Sequence, residues 1–111
     1  MNKYPKRGEV FWVNLDPAIG TETNKTRPAV IVSNNDGNEL SKRVIACPIT
    51  SKASRVYPFE VKITLNGKPA KIMLNQCKAL DKSRLQEMIG SVNVITMHDV
   101  DEAIRVVFGL N

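Results

Sequence analysis

Residues 26–34 read Thr-Arg-Pro-Ala-Val-Ile-Val-Ser-Asn and place an apolar run directly after an arginine and a proline. Pro28 fixes its own φ angle and biases Arg27 away from the helical region, so the run begins in an extended conformation. A short run rich in β-branched residues is typical of a strand that is buried on both faces. The chain is therefore predicted to form a sheet that is covered on both sides at this strand.

Arg27 stands at the start of that strand, where buried core meets water. At such a rim, the planar guanidinium group can bind a phosphate through two parallel hydrogen bonds. The alternative is an ordinary surface ion pair with a carboxylate such as Glu22.

The rest of the chain predicts further short strands and one helix. Apolar or alternating segments bounded by turn residues predict strands at 9–15, 28–32, 43–50, 59–65, 70–74, 76–80 and 88–94. Asn66-Gly67 is a strong signal for a type I′ hairpin turn. From Thr96, the predicted N-cap, apolar residues recur at helical spacing through Phe108, and Gly109 ends the helix. This pattern predicts a small antiparallel β-barrel with a C-terminal helix.

Length and charge favour one domain with a polyanionic partner. At 111 residues, the chain suits a single domain, 1–111, with one core. Its 16 Lys and Arg residues against 11 Asp and Glu give a formal charge of +5, which favours nucleic acid.

The cysteine and histidine content predicts no metal site. Cys47 and Cys77 form no CxxC pair, and His98 is the only histidine, so no metal-ligand spacing occurs. The cysteines are expected to be reduced thiols that pack as small apolar residues. No apolar run approaches the ~20 residues of a membrane span, and no signal-peptide core is present, which predicts a cytoplasmic protein without a membrane partner.

Six blocks of the sequence, in order and spacing, resemble the MazF/PemK family of toxin endoribonucleases. The blocks lie at residues 7–17, 20–34, 48–51, 57–61, 75–85 and 89–90. The resemblance extends from about Arg7 to Leu110 and implies an SH3-like antiparallel barrel with a C-terminal helix, the PemK/CcdB-like toxin fold. It also implies sequence-specific, metal-independent cleavage of single-stranded RNA by attack of the 2′-hydroxyl, which inhibits translation.

The resemblance implies that Arg27 and Thr50 are the catalytic pair. Arg27 would stabilise the charge of the phosphorane, because its pKa is too high for a base. Thr50 would donate a hydrogen bond to a phosphate oxygen, with Ser51 in support, although a strand-end hydroxyl can equally bond its own backbone. Some relatives carry an acid where this chain has Asn75, so the proton acceptor is left open, with Glu22 as the candidate.

Further residues are predicted to bind RNA. Basic side chains would contact phosphates, Tyr57 would stack on a base, and amide side chains would read base edges. The predicted RNA-binding residues are Asn24, Lys25, Thr26, Lys52, Arg55, Tyr57, Asn75, Gln76 and Lys78. Lys71 is a further candidate for a phosphate contact.

The resemblance also implies partners. It predicts a homodimer, no cofactor, and inhibition by a cognate MazE-like antitoxin with an acidic, disordered segment. Two other classes of function stay open on sequence grounds. One is a CcdB-like toxin that poisons gyrase by binding, and the other is a noncatalytic RNA-binding barrel.

Overall fold

The computed structural model describes residues 4–14 and 26–111, and these form mainly β structure. The strands are β1 (Glu9–Asn14), β2 (Thr26–Ile31), β3 (Arg43–Thr50), β4 (Glu60–Leu65), β5 (Lys68–Met73), β6 (Lys78–Asp81) and β7 (Leu85–Ser91). Two α-helices, α1 (Asn35–Leu40) and α2 (Val94–Phe108), and two 3₁₀ turns, Leu74–Gln76 and Lys82–Arg84, complete the described elements.

The seven strands form one curled antiparallel sheet. Its order is β4-β5-β3-β2-β1-β7, and β6 pairs with β3 beside this path. Helix α2 packs against β4 and the first 3₁₀ turn. The predicted fold class, a mainly β SH3-like barrel with a C-terminal helix, is confirmed as a half-barrel of this kind.

Strand β2 is buried on both faces, as its sequence predicts. Ala29 and Ile31 enter one apolar cluster, which also contains Val13 and Val44. Val30 enters the other cluster, together with residues of β3, β5 and α2. All of these β2 side chains have 0% exposure, and a fully buried aliphatic side chain contributes roughly 1.5–3 kcal/mol. The strand that begins with Arg27 is thus fixed from both sides.

The β4–β5 hairpin turns at Asn66 and Gly67. Their φ angles are +53° and +77°, the positive values that a type I′ turn requires at both central positions. The hairpin prediction is confirmed, and it places Lys68 at the first position of β5.

Helix α2 begins earlier than its sequence suggests. Its N-cap is Asn93, whose side chain accepts a hydrogen bond from the backbone N–H of Thr96. The prediction that Thr96 is the cap was wrong, because Asn93 is also a strong capping residue and Val94 and Ile95 continue the helix. Gly109 ends the helix in the left-handed conformation, with φ +67°, as predicted.

The apolar face of α2 is only partly buried. Val100 and Ala103 are buried, and Ile104 and Val107 pack at the edge of the cluster. Phe108 is 66% exposed, so the end of this face is not covered within one chain. Among the helices of the described residues, none is long and apolar enough to span a membrane.

Two expectations around β6 need correction. Gln76 belongs to a 3₁₀ turn rather than to a strand, and β6 begins at Lys78.

Cys47 and Cys77 form a disulfide, with their Cα atoms 4.3 Å apart, so the prediction of two separate reduced thiols was wrong. The pairing arises because β6 is hydrogen-bonded to β3, with Lys78 opposite Ala46. The next residue on β3 is Cys47 and the residue before Lys78 is Cys77, so the two cysteines lie side by side.

Candidate active site

Arg27 and Thr50 lie just beyond the end of the β2–β3 ladder. The last pair of this antiparallel ladder is Ala29 with Pro48. Arg27 stands two residues before Ala29 on β2, and Thr50 stands two residues after Pro48 on β3. The end of the ladder therefore leaves the two residues predicted to be catalytic on adjacent strands at the same edge.

Both side chains line a cavity of about 460 Å³ where β2, β3 and the β4–β5 hairpin separate. Of the residues predicted from sequence, this cavity also contains Ser51 and Lys52. The whole lining is Trp12, Arg27, Pro28, Ile49, Thr50, Ser51, Lys52, Leu65, Asn66, Lys68, Pro69 and Ala70. Three of these residues are cations, and none of the described lining residues is acidic, so the cavity suits an anion.

The cavity adds two residues with suitable chemistry that sequence reasoning missed. Trp12 lies on β1 opposite Pro28 and offers an aromatic surface at the cavity wall. Lys68 enters from the hairpin turn and adds a third positive charge. The Asn66-Gly67 signal had predicted the hairpin, but only the curl of the sheet brings its turn over Arg27.

The hydroxyl group of Thr50 is oriented by its neighbour. The backbone N–H of Lys52 donates a hydrogen bond to Thr50 Oγ1, at 3.2 Å. A hydrogen bond between the Thr50 hydroxyl and the local backbone was the alternative to a catalytic role that the sequence left open. That bond exists, but Thr50 Oγ1 is its acceptor. Because a hydroxyl group has one proton to donate as well, Thr50 retains a donor for a phosphate oxygen.

Residues 51–59, which we call the β3–β4 loop, place two further predicted RNA-binding residues near this site. Tyr57 is 42% exposed and stacks on Phe59, with ring centroids 5.3 Å apart and an angle of 4° between the planes. Arg55 is exposed, and its Nη1 donates to Tyr57 Oη at 3.3 Å. Both stay candidates for contact with RNA, outside the cavity itself.

Lys71 has a different role from the one predicted. It lies on β5 opposite Thr50, but its side chain is only 11% exposed. Its Nζ donates to Glu60 Oε1 at 2.8 Å and to the carbonyl oxygen of Arg55 at 2.7 Å. The expectation of a phosphate contact is wrong in this conformation, because protein acceptors already bind the ammonium group.

Glu60 keeps its negative charge inside this ion pair. Burial alone would raise the pKa of its carboxyl group, but the hydrogen bond from Lys71, the backbone N–H of Tyr57 and the positive charge of Lys71 together lower that pKa below its ordinary value. The Glu60 carboxyl group is consequently ionised at neutral pH.

The remaining predicted residues lie elsewhere. Asn75 and Gln76 are exposed on the 3₁₀ turn after β5, and Lys78 is exposed on β6 opposite Ala46. Ala46 precedes Thr50 by four residues, or about 13 Å of strand. The cavity does not include these three side chains. Thr26 is exposed at the start of β2, whereas Glu22, Asn24 and Lys25 lie outside the described residues.

Candidate metal ligands do not converge in the described parts of the chain, 4–14 and 26–111, where no three His, Cys, Asp or Glu side chains come together. His98 is exposed on α2 and does not line the cavity.

Solved toxin structures share this fold. A MazE–MazF complex from Deinococcus radiodurans is similar with a TM-score of 0.84 and 28% identity, covering 99% of this chain and 100% of the other. An endoribonuclease in complex with its cognate antitoxin from mycobacterial species gives a TM-score of 0.81 and 27% identity, covering 96% and 97% of the two chains. The fold therefore places the chain in the structural class of these proteins.

Sequence comparison identifies the family. Residues 6–108 match the model of the PemK-like, MazF-like toxins of type II toxin–antitoxin systems. Endoribonuclease MazF9 of Mycobacterium tuberculosis (strain ATCC 25618 / H37Rv) is 37% identical over 109 residues, covering 90% of this chain and 92% of that protein. This chain belongs to the PemK/MazF family, and the resemblance inferred from its sequence blocks is confirmed.

Proposed function

We propose that the protein is a toxin endoribonuclease that cleaves single-stranded RNA, in particular mRNA, at a short sequence and without a metal ion. One observation supports this most directly: Arg27 and Thr50 line the same cavity, which has three cations and no acid among its described lining residues. The endoribonuclease names of relatives favour this function over a gyrase poison or a noncatalytic RNA-binding barrel.

The proposed reaction is transesterification at one phosphate. The 2′-oxygen attacks phosphorus, the bond to the 5′-oxygen breaks, and the products carry a 2′,3′-cyclic phosphate and a 5′-hydroxyl. Arg27 stabilises the charge that develops on the phosphorane, and Thr50 donates a hydrogen bond to a non-bridging oxygen, with support from Ser51. Glu22 is our candidate for the base that takes the 2′-proton, and Arg27 is our candidate for the donor of the proton that the leaving 5′-oxygen takes up.

RNA binding is proposed to extend from the cavity over the neighbouring loops. Lys52 and Lys68 bind flanking phosphates from within the cavity, and Trp12 provides an apolar wall for a base or a sugar. Other predicted contacts are Asn24, Lys25, Thr26, Arg55, Tyr57, Asn75, Gln76 and Lys78. A duplex would resist cleavage, because its bases are not accessible to side chains.

We further propose that residues 1–111 form one toxin domain that works in the cytoplasm as a homodimer. An antitoxin with an acidic, disordered segment would occupy the RNA-binding surface, since the toxin has a net charge of +5. Two structures similar to this chain are complexes of a toxin with an antitoxin, which supports this expectation.

The central experiment is cleavage of a long RNA in the presence of EDTA. We expect fragments whose 5′ ends accept labelled phosphate from polynucleotide kinase without prior phosphatase treatment, and far less cleavage in the same time with Arg27→Ala. Loss of activity in EDTA, or ends that already carry a 5′-phosphate, would refute this mechanism. Intact RNA that is nevertheless bound would indicate a noncatalytic binding protein instead.

A further inference from the structure

The buried ion pair of Lys71 and Glu60 connects β5, the strand that pairs with Thr50, to the β3–β4 loop. Lys71 lies directly opposite Thr50, on the neighbouring strand β5. Its side chain is 11% exposed and that of Glu60 is 6% exposed, so the charges face each other and not solvent. Lysine and glutamate are rarely buried unless they are paired, which indicates that this pair has a specific structural task.

Two positions of the β3–β4 loop, Arg55 and Tyr57, are hydrogen-bonded to this pair. Lys71 Nζ binds the Arg55 carbonyl oxygen at 2.7 Å and Glu60 Oε1 at 2.8 Å. The same Glu60 oxygen accepts the backbone N–H of Tyr57 at 2.9 Å. The backbone N–H of Glu60 in turn donates to the Tyr57 carbonyl oxygen at 2.8 Å. The backbone of Arg55 is thereby bonded to β5, the strand that pairs with Thr50, and the backbone of Tyr57 is bonded to Glu60 on β4.

The pair also fixes the aromatic side chain of the loop. Lys71 Nζ lies 5.6 Å from the centre of the Tyr57 ring, within the range of a cation–π interaction. Tyr57 in turn stacks on Phe59. The ring is therefore held by contacts on the protein side while 42% of the residue stays exposed. Such a pre-ordered aromatic surface loses little conformational entropy when a base stacks on it.

We propose that Lys71 and Glu60 act as a positioning pair that holds Arg55 and Tyr57 in register with Thr50 for RNA binding. This inference rests on the proposed function, because it assigns the loop a role in binding the same RNA. Lys71 contributes through backbone and ring contacts rather than through a bond to phosphate. Removal of either charge should therefore weaken RNA binding, although the two substitutions change the net charge in opposite directions.

Because the two substitutions change the net charge in opposite directions, their effects on KM distinguish a positioning role from a charge effect. We compare KM and kcat of Lys71→Met, Glu60→Leu and the double variant on one single-stranded RNA oligonucleotide. All three should raise KM on the order of tenfold, comparable to the loss of one stacked base, while kcat changes little. A phosphate contact by Lys71 predicts the reverse for Glu60→Leu, since a less negative surface binds RNA more tightly. A lowered KM for Glu60→Leu would overturn the proposal.

Lys62→Met is the matched control. Lys62 is exposed on β4 directly opposite Lys71, so its substitution removes the same charge without touching the loop. The KM of Lys62→Met should stay within about twofold of wild type, because salt screens the interaction of an exposed charge with RNA. An increase as large as that of Lys71→Met would mean that total charge, not position, determines binding.

The double variant separates positioning from folding. Replacing both members of a buried ion pair by apolar residues is often neutral for stability, whereas removing one member leaves an uncompensated charge. The double variant should therefore melt near the wild-type temperature but keep the raised KM. A double variant with wild-type KM would refute the positioning role.

Amide hydrogen exchange at Tyr57 provides a readout that does not depend on cleavage. Its N–H should exchange faster in Glu60→Leu and in the double variant than in wild type or Lys62→Met, because its acceptor is removed. If wild type fails to cut RNA, the proposed function fails, while the exchange rate still tests whether the pair orders the loop. Unchanged exchange at Tyr57 would overturn the inference.

Discussion

In the proposed reaction, Arg27 and Thr50 act on the same phosphate through different kinds of interaction. Arg27 has a permanent positive charge and a planar fork of donors, so its effect grows as negative charge develops in the transition state. Thr50 has a neutral hydroxyl group whose oxygen is already bonded by the Lys52 N–H. We therefore expect the arginine to dominate the rate and the threonine to contribute a smaller share.

Arg27→Ala should lower kcat/KM by about 10²–10³-fold, the usual effect of losing one transition-state donor. Its free energy of unfolding should change by no more than about 0.5 kcal/mol, because the residue is exposed at the strand start. Single-turnover cleavage and urea unfolding measure the two effects. Thr50→Ala should be milder, and Thr50→Ser, which keeps the hydroxyl, should remain close to wild type. A folded Arg27→Ala variant with normal activity would remove Arg27 from the catalytic pair.

Among the elements, helix α2 depends on its N-terminal cap. Asn93 accepts a hydrogen bond from the Thr96 backbone N–H, and this satisfies one of the amide groups that a helix start leaves unpaired. The 15-residue helix in turn supplies Val100 and Ala103 to the core cluster. A loss at the cap should therefore weaken the packing of the half-barrel.

Asn93→Ala should lower the free energy of unfolding by about 1 kcal/mol, the typical effect of replacing an N-cap. Thr96→Ala is the matched control, since Thr96 contributes its backbone and not its side chain to the cap. Chemical denaturation of both variants tests the assignment. A larger loss of unfolding free energy for Thr96→Ala than for Asn93→Ala would mean that Thr96 is the N-cap, as the sequence predicts.

The disulfide connects β3 to the segment before β6 across a sequence separation of 30 residues. Closing a loop of that length stabilises the oxidised protein by up to about 3–4 kcal/mol in the chain-entropy model. This contribution belongs to the oxidised protein, because a reductant converts the disulfide into two thiols and opens the loop.

Reduction should therefore lower the urea midpoint of the oxidised wild-type protein. Cys77→Ser provides the control, because its midpoint should not respond to the reductant. Equal midpoints for oxidised and reduced wild type, with the loss of the crosslink confirmed by mass, would show that the disulfide adds no stability.

At the scale of the whole molecule, apolar side chains at both ends of α2 remain uncovered. Val94 and Ile95 are 86% and 80% exposed at its start, and Phe108 is 66% exposed at its end. Exposed apolar patches of this kind favour association. We expect a homodimer at micromolar concentration, with the active site in or beside a groove across the dimer. Analytical ultracentrifugation tests this, and a fully active monomer would contradict it.

The antitoxin prediction also belongs to this scale. An acidic segment that follows the cationic cavity should compete with RNA for Arg27, Lys52 and Lys68. Its affinity should fall as salt rises, but less steeply than that of RNA, if apolar anchors contribute. A competition titration with the protein encoded beside this gene provides the measurement. Binding of that protein while RNA cleavage continues would exclude occlusion of the cavity.

The sequence by itself determined the local structure wherever one pattern had no strong competitor. The apolar run after Pro28 determined a strand buried on both faces, and Asn66-Gly67 determined a type I′ turn. Both follow from restrictions on single residues: the fixed φ of proline, and the positive φ that Asn and Gly accept. At the start of α2, both Asn93 and Thr96 are suitable N-cap residues, and the sequence alone did not identify which of them caps the helix.

Tertiary structure decided which residues of similar chemical character come into contact with each other or with the cavity. Lys68 and Lys71 are three residues apart and look alike in sequence, yet one lines the cavity and the other is buried against Glu60. Cys47 and Cys77 likewise pair only because β6 lies along β3. The reason is physical: local patterns fix backbone conformation, whereas the curl and register of the sheet set which distant side chains share one space.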